Sequence, residues 1–311
     1  MRNIKLLNKT LLMMVLGAFL LASCDKPIDS TSSSDTSSDT STETSTSTST
    51  ATDTSTNTST STSSDTSGGS DHYEMPSQYA TYYSSLSSNP TSTQLRSLVN
   101  VKNLYSYDGV RDAMYLTDRD WKLSPNSSET NPYMNLIYAS YNGSTSTAYK
   151  RSDYTTVWDR EHIWPQSRGG FNTSTGPGTD MHHLRASDKN NNSTRGNKDF
   201  DNVSSGNYVK DYRSQNSGYY SGDRYMPMLQ YRGDVARACF YMSLVYPSNC
   251  PLIESTPGSG ISLGKLSVLL QWHELDPVDE FEMKRNNIIY DSYQHNRNPF
   301  IDHPEWAHSI F

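Results

Sequence analysis

Residues 160–197 carry most of the chemistry of this chain, in three motifs: Arg160-Glu161-His162-Ile163-Trp164-Pro165, Asp180-Met181-His182-His183-Leu184 and Asn192-Ser193-Thr194-Arg195-Gly196-Asn197. Residues 156–158 predict a strand that leads into the first motif, and Pro165 ends it because proline cannot donate to a ladder. After a loop, residues 180–184 predict a returning strand. Ser187 then caps a short helix that Gly196 ends. The predicted unit is a hairpin followed by a helix.

Three side chains of this unit suggest a reaction. His162 is a natural general base near neutral pH. Glu161 and Asn192 offer hard oxygen ligands for a cation such as Mg²⁺, which can neutralise charge at a phosphate. Neighbouring strand residues face opposite sides, so Glu161 and His162 can serve one site only where the strand ends or bulges. The set predicts a metal-dependent nuclease.

The second motif allows a different interpretation, a zinc site. Asp180 and His182 would share one strand face, with His183 on the other. An Asp and two His without Cys or a helical repeat fall short of a zinc signature. We therefore expect Asp180, His182 and His183 to support the site by contacting its functional groups, or to be structural.

The N-terminus predicts an export signal. Basic residues precede an apolar run from Leu11 to Leu21, which is short for a membrane span and typical of a signal peptide. The segment Leu21-Ala22-Ser23-Cys24 resembles the lipobox of bacterial lipoproteins, in which the cysteine becomes the lipid-bearing N-terminus. We therefore expect a signal peptide over 1–23 and a lipid anchor on Cys24. The alternative is an ordinary cleaved signal.

Composition divides the rest of the chain in two. Residues 24–70 consist mostly of Ser, Thr and Asp, and such a segment is expected to remain a disordered tether. Residues 71–311 suit one large domain. That domain has 22 Lys and Arg against 26 Asp and Glu, so its net charge of −4 neither supports nor excludes nucleic acid as a partner. Outside the cytoplasm, Cys239 and Cys250 predict one disulfide, with two buried free thiols as the alternative.

Taken together, the motifs resemble the bacterial endonuclease I family, secreted or periplasmic non-specific nucleases with a ββα-metal (His-Me) finger. Three later blocks also resemble that family: residues 232–238, residues 272–278 and residues 297–304. The resemblance runs from about Leu95 to the C-terminus. It implies an α+β fold, with the ββα-metal finger embedded in a helix-rich single domain.

The resemblance also implies roles for individual residues. His162 matches the family's general base, and Glu161 and Asn192 match its two protein ligands to Mg²⁺, with Ca²⁺ or Mn²⁺ as alternative ions. The family cuts DNA and RNA with little sequence preference and leaves 5′-phosphate ends. An arginine that steadies the scissile phosphate is a further family feature, for which Arg168 and Arg195 are the candidates.

The sequence thus predicts a monomeric, lipid-anchored endonuclease at the cell surface, with DNA or RNA as substrate and no obligate protein partner. One alternative is a surface lipoprotein that binds nucleic acid or host molecules without chemistry. Another is a phosphodiesterase that uses the same residues on small substrates.

Overall fold

The computed structural model describes residues 73–140, 148–254 and 260–311. The predicted signal peptide, the lipidation site at Cys24 and the tether lie outside these ranges. Within the described ranges, no helix combines the length and apolarity needed to cross a bilayer. All described residues belong to one compact unit.

Short strands are interspersed among helices along the chain. The helices are α1 (Ser92–Val99), α2 (Tyr107–Thr117), α3 (Gln166–Gly169), α4 (Lys189–Arg195), α5 (Arg232–Val245), α6 (Leu266–Leu275), α7 (Glu280–Ser292), α8 (Pro299–Asp302) and α9 (Trp306–Ile310). The strands are β1 (Tyr133–Met134), β2 (Tyr149–Lys150), β3 (Trp158–His162), β4 (Leu184–Asp188), β5 (Asp199–Phe200), β6 (Asn207–Lys210), β7 (Asn216–Ser221) and β8 (Arg224–Pro227).

The strands form three small sheets. β1 pairs with β2 and β3 pairs with β4, both antiparallel. The third sheet has the order β5-β8-β7-β6, in which only the β5–β8 pair is parallel. Helices packed around small sheets confirm the predicted α+β class.

Two apolar clusters hold these elements in place. The larger one surrounds α5, whose residues after Arg232 are all buried, and includes aromatic side chains of α6, α8 and β8. The smaller one packs Trp158, Leu184 and Ala186 of the β3–β4 hairpin against Val110 and Met114 of α2. Burial of these side chains fixes the hairpin to the body of the domain.

The hairpin differs from its predicted form at two points. The returning strand spans Leu184–Asp188, not residues 180–184, because Asp180 begins a turn whose carbonyl accepts from the backbone N–H of His183 and Leu184. The cap of α4 is Asp188, not Ser187: its carboxylate accepts from the backbone N–H groups of Asn190 and Asn191. Ser187 is instead a buried residue of β4.

The remaining features of the hairpin follow the prediction. β3 and β4 pair in regular register from Trp158 opposite Asp188 to His162 opposite Leu184. The helix after them ends at Gly196, whose φ of 54° lies in the left-handed region that glycine favours. β3, β4 and α4 therefore form a continuous hairpin-plus-helix unit over residues 158–195.

Candidate active site

Glu161 lies at the inner side of this unit and is only 2% exposed. Its Oε1 accepts a hydrogen bond from Arg195 (2.9 Å) and one from the Tyr138 hydroxyl (3.2 Å). Burial raises the pKa of this carboxyl to about 7, even though Arg195 and the Tyr138 hydroxyl both favour the ionised form. These two contacts thus engage only one of the two carboxylate oxygens.

His162, the last residue of β3, is oriented by a backbone carbonyl. Its Nε2 lies 2.8 Å from the oxygen of Gly178. Since a carbonyl only accepts, Nε2 carries the proton and Nδ1 is left as an acceptor. Burial, together with the neighbouring His183 ring, lowers the pKa of His162 to about 3, so the imidazole is neutral at physiological pH. Tyr107 stacks nearly parallel to it, with ring centroids 5.7 Å apart.

Asn192 faces β3 from the middle of α4. Its Nδ2 donates to Asp159 Oδ1 (2.6 Å) and to the carbonyl of Arg160 (3.2 Å). These bonds fix which end of the amide is the oxygen. Asp159 shares a face of β3 with Glu161, since the two are separated by one residue, and burial raises the pKa of its carboxyl.

Three acceptor atoms of this unit have no hydrogen-bond partner among the described residues: Glu161 Oε2, Asn192 Oδ1 and His162 Nδ1. None of them is among the fully buried unpartnered atoms, so solvent reaches each one. The two oxygens are hard ligands of the kind that Mg²⁺ and Ca²⁺ take. Across the described ranges, no group of three or more His, Cys, Asp or Glu side chains is arranged around a metal position. A cation here would therefore rely on one carboxylate, one amide and water.

The turn from Asp180 to His183 packs against His162, the candidate base. His183 Nε2 donates to the carbonyl of Pro177 (2.7 Å), next to the Gly178 carbonyl that orients His162. His182 lies on another side, where its Nε2 contacts Asn296. Burial lowers the pKa of both His182 and His183 to about 4. Neither ring has a direct contact with Glu161 or Asn192.

Comparison with known proteins identifies the family. The endonuclease I family model matches residues 87–305. An extracellular ribonuclease of Bacillus amyloliquefaciens is 42% identical over 240 residues, which cover 74% of this chain and 78% of the relative. An extracellular ribonuclease of Bacillus subtilis (strain 168) is 42% identical over 223 residues, which cover 70% and 72%. The chain belongs to the endonuclease I family.

As a member of this family, the protein is an endonuclease. Members of this family generally depend on a divalent metal ion. The family membership predicted from the motifs is therefore confirmed, whereas the ββα-metal finger, the ion and the roles of individual residues remain predictions.

Both arginines that are candidates for phosphate binding donate to protein groups. Arg168 Nη2 pairs with Asp199 (2.6 Å), and its other nitrogens donate to three backbone carbonyls. Arg195 is fully buried and holds Glu161 together with the carbonyls of His162 (3.0 Å) and Ile163 (2.6 Å). Phosphate binding by either residue stays a prediction, and it would require these contacts to be exchanged.

Cys239 and Cys250 are free, buried thiols, so the predicted disulfide is not formed in this structure.

The structure also places residues that sequence reasoning did not single out. Asp159 was detectable, because strand alternation puts it beside Glu161. No local sequence pattern pointed to Tyr138 or Gly178. An added Cβ on Gly178 would meet the Asn172 carbonyl oxygen at 1.8 Å, so only glycine fits there.

Proposed function

We propose that this enzyme hydrolyses phosphodiester bonds of DNA or RNA with little sequence preference, leaving 5′-phosphate ends, and requires a divalent cation, preferably Mg²⁺. The ribonuclease names of two relatives support RNA as a substrate. Recognition through phosphates would make cleavage largely sequence-independent and sensitive to salt.

In this proposal His162 is the general base. Its Nε2–H is held by the Gly178 carbonyl, so Nδ1 accepts a proton from the attacking water. Burial lowers the pKa of His162 to about 3, so the imidazole is neutral at physiological pH and the Nδ1 lone pair carries no proton. Tyr107 and His183 restrict the position of the ring, which keeps Nδ1 directed at the nucleophile.

Glu161 Oε2 and Asn192 Oδ1 would hold the cation. When bound, Mg²⁺ supplies Lewis-acid stabilisation of the charge that develops on the phosphate. Arg195 and Tyr138 fix the carboxylate by its other oxygen, and Asp159 fixes the amide through Nδ2. Each ligand is therefore oriented by a contact to the atom that would not bind the cation.

One observation carries the proposal: Glu161 Oε2, Asn192 Oδ1 and His162 Nδ1 lack protein partners within one hairpin-plus-helix unit. Solvent reaches all three atoms, so each can take a cation or a water molecule as its partner. A pure binding protein has no need of an unpaired Glu161 oxygen next to a neutral, oriented His162.

The experiment uses the purified protein with plasmid DNA and with RNA. We expect degradation with Mg²⁺, none with excess chelator, and 5′-phosphate ends on the products. His162→Ala should lower kcat by about 10²–10⁴-fold, the usual contribution of a general base, without a loss of thermal stability. If the folded wild-type protein leaves both polymers intact with every divalent ion tried, the proposed hydrolysis of nucleic acid is wrong.

The location at the cell surface is part of the same proposal. Lipid on Cys24 would anchor the enzyme, and residues 24–70 would extend the domain away from the membrane. Labelled fatty acid should be incorporated into the wild-type protein but not into Cys24→Ser. Recovery of the unlipidated wild-type protein in the medium would contradict the anchor.

A further inference from the structure

The surface formed by α4 and the β6–β7 hairpin exposes cations and tyrosines but no carboxylates. Between residues 189 and 220, every Asp is buried: Asp199 (2%), Asp201 (7%) and Asp211 (1%). Lys189 and Lys210 are exposed over the same stretch. Tyr208 and Tyr212 are 51% and 52% exposed, although large apolar rings are usually covered. A domain with net negative charge therefore carries a local surface that suits an anionic, aromatic partner.

Tyr212 is held beside the candidate active site. Its backbone N–H donates to Asp188 Oδ2 (2.9 Å), and the Oδ1 of Asp188 caps the first turn of α4, four residues before Asn192. Asp211 fixes the turn by accepting from the backbone N–H groups of Arg213 (3.0 Å) and Gln215 (2.8 Å). The backbone is thus anchored while the ring projects into solvent.

Lys189 lies next to this anchor, as the first residue of α4. Its Nζ donates to the carbonyl of Thr155 (2.6 Å), and the side chain remains exposed. Lys189 and Tyr212 both adjoin Asp188, Lys189 through the chain and Tyr212 through its backbone hydrogen bond. An ammonium and an exposed ring match the phosphate and the base of a nucleotide. One turn of helix, about 5.4 Å, separates the Asp188 cap from Asn192, so the anchor of Tyr212 lies one turn away from a candidate ligand of the cation.

We propose that Tyr212 and Lys189 form a subsite for an unpaired nucleotide next to the scissile phosphate, so that the enzyme prefers single-stranded RNA or DNA. This rests on the proposed function, because it places the subsite along the same bound strand. A base in a duplex is stacked between its neighbours and cannot cover the Tyr212 ring, whereas an unpaired base can. Lys189 contacts phosphate, which both kinds of substrate present.

The test compares one oligonucleotide sequence as a single strand and as a duplex. Tyr212→Ala should lower kcat/KM on the single strand about 5- to 150-fold, the range that removal of one base–aromatic stack produces. The loss should appear in KM, and the duplex should be cut as by the wild type. Tyr212→Phe and Tyr212→Trp should keep the preference, because both retain a ring.

Tyr208→Ala is the matched control. Tyr208 is as exposed as Tyr212, but it lies on β6 and pairs with Tyr219, with ring centroids 4.5 Å apart. Its removal should leave both substrates unaffected. Lys189→Ala should instead weaken both substrates alike and reduce the slope of log K against log salt by about one.

Binding measurements separate this inference from the proposed function. Fluorescence anisotropy in the His162→Ala background, with Mg²⁺ present, reports strand binding whether or not the wild type cleaves. Selective loss of single-strand binding in Tyr212→Ala would support the subsite even if cleavage were absent. An unchanged affinity, or an equal loss for single strand and duplex, would overturn it.

Discussion

Two buried Glu–Arg pairs in this enzyme differ in how many oxygens of the carboxylate the arginine contacts. Arg237 binds both oxygens of Glu282, through Nε to Oε1 (2.7 Å) and through Nη2 to Oε2. Arg195 binds only Oε1 of Glu161, and Oε2 has no partner among the described residues. Both carboxylates are buried to a similar degree, 3% and 2% exposed.

The difference shows which pair is structural. Glu282 joins α7 to α5 through a bidentate contact, and Arg237 also donates to the Asp276 carbonyl (2.9 Å). Both oxygens of Glu282 are paired inside the protein. At Glu161 the pairing is incomplete, because Oε2 has no partner among the described residues. An incompletely matched buried carboxylate destabilises the free protein but can be stabilised by a bound cation.

Exchanging each glutamate for glutamine tests most directly whether the two pairs have different roles. Glu161→Gln should lower the apparent Mg²⁺ affinity and the activity at least about 100-fold, the upper end of what loss of an outer partner costs at metal sites. Stability should fall by less than in Glu282→Gln, because only one oxygen of Glu161 is paired with its arginine. Mg²⁺ titrations of activity and urea unfolding at pH 6 measure both.

Glu282→Gln should show the opposite pattern. The substitution leaves the buried Arg237 without its counter-charge, which costs about 3–5 kcal/mol of unfolding free energy. Activity per folded molecule should be kept at low temperature. Full activity of Glu161→Gln, or lost activity in a stable Glu282→Gln protein, would mean that the unmatched oxygen of Glu161 does not mark the site.

A smaller effect is expected at Gly178, which positions the base without touching substrate. The Cβ of Gly178→Ala would lie 1.8 Å from the Asn172 carbonyl oxygen, so the turn must move and carry away the carbonyl that accepts from His162. A displacement of this size can cost about 10²-fold in rate. We expect kcat to fall while KM stays nearly constant in steady-state assays.

Gly222→Ala is the control for this substitution. Nothing lies within 4 Å of an added Cβ there, although its φ of 55° adds backbone strain. It should cost some stability but no activity. Equal activity losses in both variants would show that Gly178 acts through general destabilisation and not through His162.

Sequence patterns located the ends of the unit better than its interior. Pro165 and Gly196 mark where β3 and α4 stop, because proline and glycine restrict or permit backbone angles locally. The second strand was misplaced because residues 180–188 are almost all buried, so they show no alternation from which to read a strand. Asp188 was missed as a cap in favour of Ser187, since both residue types can cap.

Contacts between distant segments could not be predicted from the sequence. Arg168 finds its counter-ion 31 residues away, and its other partners include Gly260 and Ser262. Tyr107 meets His162 only because α2 packs on the hairpin through Val110 and Met114. Local propensity carries no information about such pairs, which follow from the packing of the whole domain.

The smallest expected effect is at His273, which contacts Arg237 of the structural Glu282–Arg237 pair. His273 Nδ1 accepts from Arg237 (3.3 Å) and Nε2–H donates to Pro304 (2.9 Å), an arrangement that only the neutral ring can make. Burial, and then Arg237, lowers its pKa to about 4, whereas an unfolded histidine titrates near 6.5. Between these values the unfolded chain binds the extra proton, so the stability contributed above pH 6.5 is lost as the pH falls towards 4.

His273→Gln can make both hydrogen bonds without titrating, and should reduce the pH dependence of the unfolding free energy by at most about 1.4 kcal/mol per pH unit. Urea unfolding at several pH values measures this slope, with a substitution of the exposed His295, His295→Asn, as the control. Equal slopes in all three proteins would show that His273 is not held neutral.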